Sequence, residues 1–92
     1  MLGERIREIR EAQGITQEKL GEALGVTKAS VSNWENDNSP PSVDTLKNIA
    51  KYFHCSTDYL LELDHTHIID VSDLSPAKIA HIQLLVNDFL EE

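Results

Sequence analysis

Apolar positions recur at Leu2, Ile6 and Ile9, with Ala12 following, against a charged outer face, and this spacing predicts an amphipathic helix over residues 2–13. Gly14 ends it and Ile15 turns into the core. Thr16 is placed to cap a second helix running to about Leu24. Thr27 to about Glu35 forms a third. Asn36, Asp37, Asn38, Ser39, Pro40 and Pro41 are turn formers that cannot extend it, so they predict a surface loop. Ser42 then caps a fourth helix to about Phe53, in which Leu46, Ile49, Ala50 and Phe53 fall at i, i+3, i+4 and i+7, a core-facing stripe. Ser56 caps a short fifth helix whose Tyr59, Leu60 and Leu61 are expected to close the core from below.

Within this series, residues 17–36 read as two short helices joined by a tight turn. Leu20, Leu24, Val26, Val31 and Trp34 point two packed helices toward one core. Gly21 is small where the two must approach closely, and Gly25 stands where the first must stop and a positive φ is tolerated. With Thr27 as the next N-cap, the window has the register of a helix-turn-helix.

The pattern changes after the fifth helix. Residues 62–75 (ELDHTHIIDVSDLS) are acidic and lack a helical period, and their apolar run Ile68, Ile69 and Val71 suits either a strand-like arm or packing on the domain. Periodicity returns when Ser75 caps, and Pro76 opens, a helix running to about Leu90. There Ile79, Ile82, Val86 and Phe89 are spaced three, four and three apart, the seam of a helix pair, with Leu85 and Leu90 on its flanks. Fifteen such residues make a marginal helix alone, so the stripe is expected to be buried, against a second copy of itself in preference to its own domain.

At 92 residues the chain has a modest core, so function is expected in surface recognition rather than in a deep cleft. No stretch approaches the roughly 18 to 20 apolar residues of a membrane span, and Glu4 and Glu8 so near the N-terminus do not suit a secretory signal; the expected location is cytoplasmic. Cys55 is the single cysteine and lies in an apolar run, where it reads as a small core residue. The net charge of −8 disfavours non-specific attraction to phosphate. Its distribution softens that objection: residues 1–61 carry seven Lys or Arg against nine acids, and residues 62–92 carry Lys78 alone against seven. A nearly neutral head can still bind nucleic acid specifically, with weak non-specific affinity.

The third helix supplies reading groups. Thr27, Lys28, Ala29, Ser32 and Asn33 are polar or small and share the face opposite Val31 and Trp34, which must point inward. Lys28 suits guanine O6 and N7, Asn33 suits adenine N6 and N7, and Ala29 suits a thymine methyl. Gln17 opens the second helix, whose free N–H groups and positive dipole end suit a phosphate. Ser30, Asn36 and Asn38 are placed to contact phosphate beside the groove. Trp34 is expected in the core rather than stacked on bases. His65 and His67 with Asp64 and Asp70 could be read as a metal site, but no Cys/His set completes tetrahedral spacing, so neither metal nor cofactor is expected. His54, His65, His67 and Asp64 likewise do not make a nucleophile, base and acid set, so an enzyme is not expected.

Residues 1 to about 63 resemble the Cro/CI-type, or XRE-like, helix-turn-helix family of phage repressors and their bacterial relatives. The resemblance rests on Arg10, on GITQEKLGEALGVTKASVSNWEN (residues 14–36) and on PSVDTLKNIAKYFHCSTDYLL (residues 41–61). It implies an all-α fold, a five-helix lambda-repressor-like domain whose third helix lies in the major groove of double-stranded DNA, here followed by a C-terminal helix. It also places base contacts near Thr27, Lys28, Ala29, Ser32 and Asn33, and implies a salt bridge between Arg10 and Glu35, with Arg10 near phosphate as well. Where many relatives carry a basic residue or glycine after the third helix this chain has Asp37, which weakens the case for phosphate clamping by that loop.

The expected organisation is a DNA-binding domain at residues 1–63, an acidic linker at 64–75 and a dimerisation helix at 76–92 whose contacts are Ile79, Ile82, Leu85, Val86, Phe89 and Leu90. The expected function is a sequence-specific transcriptional regulator, a repressor that binds a palindromic operator as a homodimer. The alternative is an antitoxin-like or partner-controlled module whose C-terminal helix binds another protein.

Overall fold

The computed structural model describes residues 2–63 and 69–91, and all of their regular structure is helical. The elements are α1 (Leu2–Ala12), α2 (Gln17–Leu24), α3 (Lys28–Glu35), α4 (Val43–Tyr52), α5 (Thr57–Leu60) and α6 (Pro76–Leu90). This is the expected all-α architecture of five helices plus one. Each helix after α1 starts where a hydroxyl can satisfy an orphan N–H. Thr16, Thr27, Ser42, Ser56 and Ser75 all sit in extended conformation and accept from the backbone N–H three residues on, at 3.0 to 3.3 Å.

The core is one cluster. Ile6 of α1, Leu20 of α2, Val31 and Trp34 of α3, Ile49 and Ala50 of α4, Phe53 at its end and Leu60 of α5 are all buried. Leu2, Ile9, Ile15, Leu24, Val26, Leu46, Tyr52 and Cys55 pack around them. Burial pushes the Cys55 thiol up from its ordinary value, the behaviour of a packed residue and not of a reactive one. Within the last helix of the head the expectation needs one correction. Leu60 is fully buried, but Leu61 is its C-cap and remains 40% exposed, because a four-residue helix turns only one apolar side chain fully inward. Tyr59 serves differently again, its ring lying 4.4 Å beneath the Arg5 guanidinium and so linking α5 to α1.

The described part of the linker contains no strand. Asp70 N donates to the His54 carbonyl at 3.0 Å, Leu74 N donates to Val71 O, and the Asp70 carboxylate holds both the N–H and the hydroxyl of Ser72. The linker is therefore pinned to the end of α4 by backbone and then coils in local turns. Those two Ser72 hydrogen bonds also pull the Asp70 carboxyl below its usual range. The possible ligands Asp64, His65 and His67, and Ile68 of the apolar run, lie outside the described residues. Helix α6 has no fully buried residue: Ile79 and Ile82 are half-buried, whereas Leu85, Val86, Phe89 and Leu90 are exposed.

Candidate nucleic-acid interface

The geometry of α3 depends on how tightly the chain can turn into it. Gly25 caps α2 with φ 74°, a left-handed conformation that costs glycine nothing, and its N–H returns to α2 carbonyls. A Cβ on Gly21 would lie 2.8 Å from the Val26 carbonyl oxygen, so only glycine lets the turn close this near to α2. Val31 and Trp34 then bury themselves, which orients the rest of the helix by its period.

As a result Thr27, Lys28, Ala29 and Asn33 are exposed and Ser32 is half-buried at the edge of the same face. All five expected base-reading positions are therefore at least partly open to solvent, four of them along α3 and Thr27 at its N-cap. Beside them, the Ser30 hydroxyl is hydrogen-bonded to that of Thr27 at 3.0 Å, at the start of α3. Asn36 and Asn38 are exposed beyond its other end.

What fixes this surface is a buried carboxylate. Glu35 is 3% exposed and receives Arg10 Nε at 2.6 Å on one oxygen and Arg10 Nη2 at 2.9 Å on the other. Gln17 Nε2 donates to Oε1 at 3.1 Å, and Arg7 Nε approaches the same oxygen at 3.5 Å. Burial pushes the Glu35 carboxyl up, but the hydrogen bonds from Arg10 and Gln17 and the charge of Arg10 outweigh it and leave the group below its usual range. The same hydrogen bond raises Arg10 further above its ordinary value.

This node changes the standing of two expected phosphate ligands. Arg10 Nη1 also donates to the Ile15 carbonyl at 2.7 Å, so all its guanidinium nitrogens are engaged inside the domain. The expected Arg10–Glu35 pair is present, and each Arg10 nitrogen already has a partner inside the domain, which leaves only the second N–H of Nη1 and of Nη2 uncommitted. Gln17 spends a side-chain donor on Glu35, while its backbone N–H stays at the open N-terminus of α2.

Two contacts not foretold from the sequence also belong here. Arg7 Nη2 donates to Asn36 Oδ1 at 2.9 Å, and Asn36 Nδ2 donates to Ser32 Oγ at 3.3 Å, a polar chain from α1 along the edge of the reading face. Arg7 keeps 44% of its side chain exposed, so it brings positive charge to that edge. Its spacing of three residues from Arg10 was the available signal. Asp37 makes the second. It adopts φ 57° and its carboxylate accepts from Gly3 N at 3.2 Å, tying the N-terminus of α1 to the end of α3.

Two short helices crossing at a glycine turn, the second with a buried flank and a polar outer face, define the helix-turn-helix class. Comparison with known proteins agrees: the helix-turn-helix family model matches residues 6–60, and the chain belongs to that family. It is 37% identical over 73 residues to the HTH-type transcriptional regulator ImmR of Bacillus subtilis (strain 168), covering 79% of this chain and 58% of ImmR. It is 39% identical over 64 residues to repressor protein C2 of Salmonella phage P22, covering 70% of this chain and 30% of C2. The chain therefore spans little more than half of one of these relatives and under a third of the other. Among solved structures, the P22 c2 repressor in complex with synthetic operator 9T superposes with a TM-score of 0.66 at 39% identity, covering 70% of this chain and 97% of that one.

Proposed function

We propose that this chain is a sequence-specific DNA-binding transcriptional regulator, acting in the cytoplasm as a repressor and binding a two-fold operator as a homodimer. The observation that carries this is the outward face of α3, where Thr27, Lys28, Ala29, Ser32 and Asn33 stand clear of a helix locked from behind by Val31, Trp34 and Glu35. A rigid helix presenting short polar groups and one lysine fits the major groove, whose base edges are read by such side chains. Gln17 through the α2 N-terminus, Ser30, Asn36 and Asn38 then meet the flanking phosphates, joined by Arg7. Arg10 acts as scaffold.

The similarity to ImmR and to a repressor solved with operator DNA supports the same reading. Repression is the economical mode, since occluding a promoter requires only occupancy. Residues 1–63 act as the reading domain, 64–75 as linker and 76–92 as the dimer helix, which presents Leu85, Val86, Phe89 and Leu90 in the open. Selection of bound sequences from a random DNA pool at a stated salt concentration tests the reading: a palindromic consensus supports it, and no enrichment over the starting pool overturns it. Purification of the chain with a stoichiometric second protein on α6 would favour the partner-binding alternative.

A further inference from the structure

In the first half of α6 Ile79 and Ile82 are half-buried, and in its second half every residue is exposed. Ile82 lines, with Ile9, Phe53, Ile69, Val71 and Leu74, an apolar groove of about 400 Å³ between head, linker and α6. Beyond it Leu85, Val86 and Phe89 are 44, 49 and 73% exposed. A helix of 15 residues is marginal on its own hydrogen bonds, so burial of this stripe would stabilise it.

The charges on α6 indicate what would cover the stripe. Lys78 lies in the first turn, no basic residue lies in the last, and Asp88 and Glu91 stand at the far end. Each sign is wrong for the helix's own dipole, which favours anions at its N-terminus and cations at its C-terminus. A second α6 running the opposite way eases both ends at once, because its positive N-terminus stands at the end that carries Asp88 and Glu91, and the reverse; the effect is one of helix ends, since both acids lie on the side away from the seam. A parallel neighbour would set like against like.

The apolar spacing agrees. Ile79, Ile82, Val86 and Phe89 are separated by three, four and three residues, a pattern that is its own mirror about position 84. In an antiparallel pair centred there, Ile79 meets the partner's Phe89 and Ile82 meets the partner's Val86, so every seam residue is covered in both copies. The partner's second half also closes the mouth of the groove that Ile82 lines.

We infer that α6 pairs antiparallel with α6 of a second copy, centred on position 84 and closing over the groove at the head. The inference rests on the homodimer proposed above and specifies its geometry. It also suits the DNA. Heads attached at opposite ends of a rod about 22 Å long, each adding its own width, fall on the scale of half-sites roughly 34 Å apart, whereas a parallel pair would hold both heads at one end.

Cysteine cross-linking decides the direction. In a Cys55→Ala background, Ile82→Cys and Val86→Cys chains of different tag length are oxidised separately and mixed. Antiparallel pairing brings position 82 against 86 and leaves 82 and 82, or 86 and 86, about 6 Å out of step along the axis, too far for a disulfide across neighbouring helices. The expected result is an intermolecular cross-link in the mixture only. Efficient cross-linking of each variant with itself would mean parallel helices and would overturn the inference. Sedimentation of the unoxidised chains separates the remaining cases. A dimer that cross-links in no combination is held elsewhere, which removes this geometry and leaves the homodimer standing. A monomer at tens of micromolar, for the unsubstituted chain, removes both.

Discussion

Arg10 grips Glu35 with two nitrogens on two oxygens, at 2.6 and 2.9 Å, and so fastens the last turn of α1 to the last turn of α3 beneath the reading face. The carboxylate has no exposed surface of its own and the guanidinium very little, so neither charge has solvent to fall back on. Removing one partner strands the other. Glu35→Ala should therefore cost about 3 kcal/mol or more, and the added Arg10→Met change should recover part of it in a double-mutant cycle. Strictly additive losses, measured by denaturant unfolding, would show that the two act independently.

The same pair sets an acid limit. Glu35 has its folded-state pKa below the ordinary 4.5, so the unfolded chain takes up the proton first as the pH falls. Its stabilising share is complete well above pH 4.5 and is lost as the pH drops through that value toward the lowered folded one. Thermal midpoints followed from neutral pH into this acid range should fall more steeply for the native chain than for Glu35→Gln. Parallel curves would mean that other carboxylates govern acid unfolding.

Readout and backbone contact should separate by substitution. Lys28→Ala should lose roughly 1 to 3 kcal/mol at the operator and relax preference at one base pair if, as proposed, the exposed lysine in the first turn of α3 addresses a base edge. Gln17→Ala should weaken all sequences about equally, and it should also loosen the Glu35 node slightly, since Gln17 Nε2 donates there. Binding to a set of single-base operator variants checks both. If base preference is unchanged in Lys28→Ala, the residue leaves the reading set.

The residues that sequence made legible share a physical property: their roles are local or periodic. A hydroxyl before each helix needs only the N–H three residues on, and the inward set of Val31, Trp34, Ile49 and Phe53 follows from a period of 3.6. Asp37 shows where that reasoning stops. Its charge argued against a phosphate contact, but its actual partner, Gly3, is 34 positions away, and no spacing rule pairs a loop aspartate with a distant helix start. Arg7 and Asn36 are joined across 29 positions in the same way. Leu60 and Leu61 show a finer limit: adjacent apolar residues on a four-residue helix are equivalent until the tertiary fold chooses one.

Gly3 provides a test of that hidden joint. A Cβ there would collide with the Trp34 carbonyl oxygen and stand 2.8 Å from that of Glu35, both backbone atoms that cannot swing away. Gly3→Ala should consequently push α1 off the end of α3 and cost about 1 to 3 kcal/mol, even though alanine favours helices. A gain in stability would mean that the close approach is not maintained in solution.

Assembly is tested by cutting the chain after Leu63. Among the described residues all eight of the buried core lie before that point, so the shortened chain should fold, with a modest loss from uncovering the Phe53 and Ile9 side of the groove. It should sediment as a monomer, since the exposed α6 seam has gone. Two heads would then no longer share the effective concentration that joins half-sites roughly 34 Å apart, and operator affinity should fall far more than the intrinsic affinity for one half-site. Ile82→Asp together with Val86→Asp in the full chain should reproduce the effect, because like charges would meet across that seam. Equal binding of a palindrome by the shortened and full chains would assign dimer contacts to the head, and leave the apolar face of α6 to a different protein.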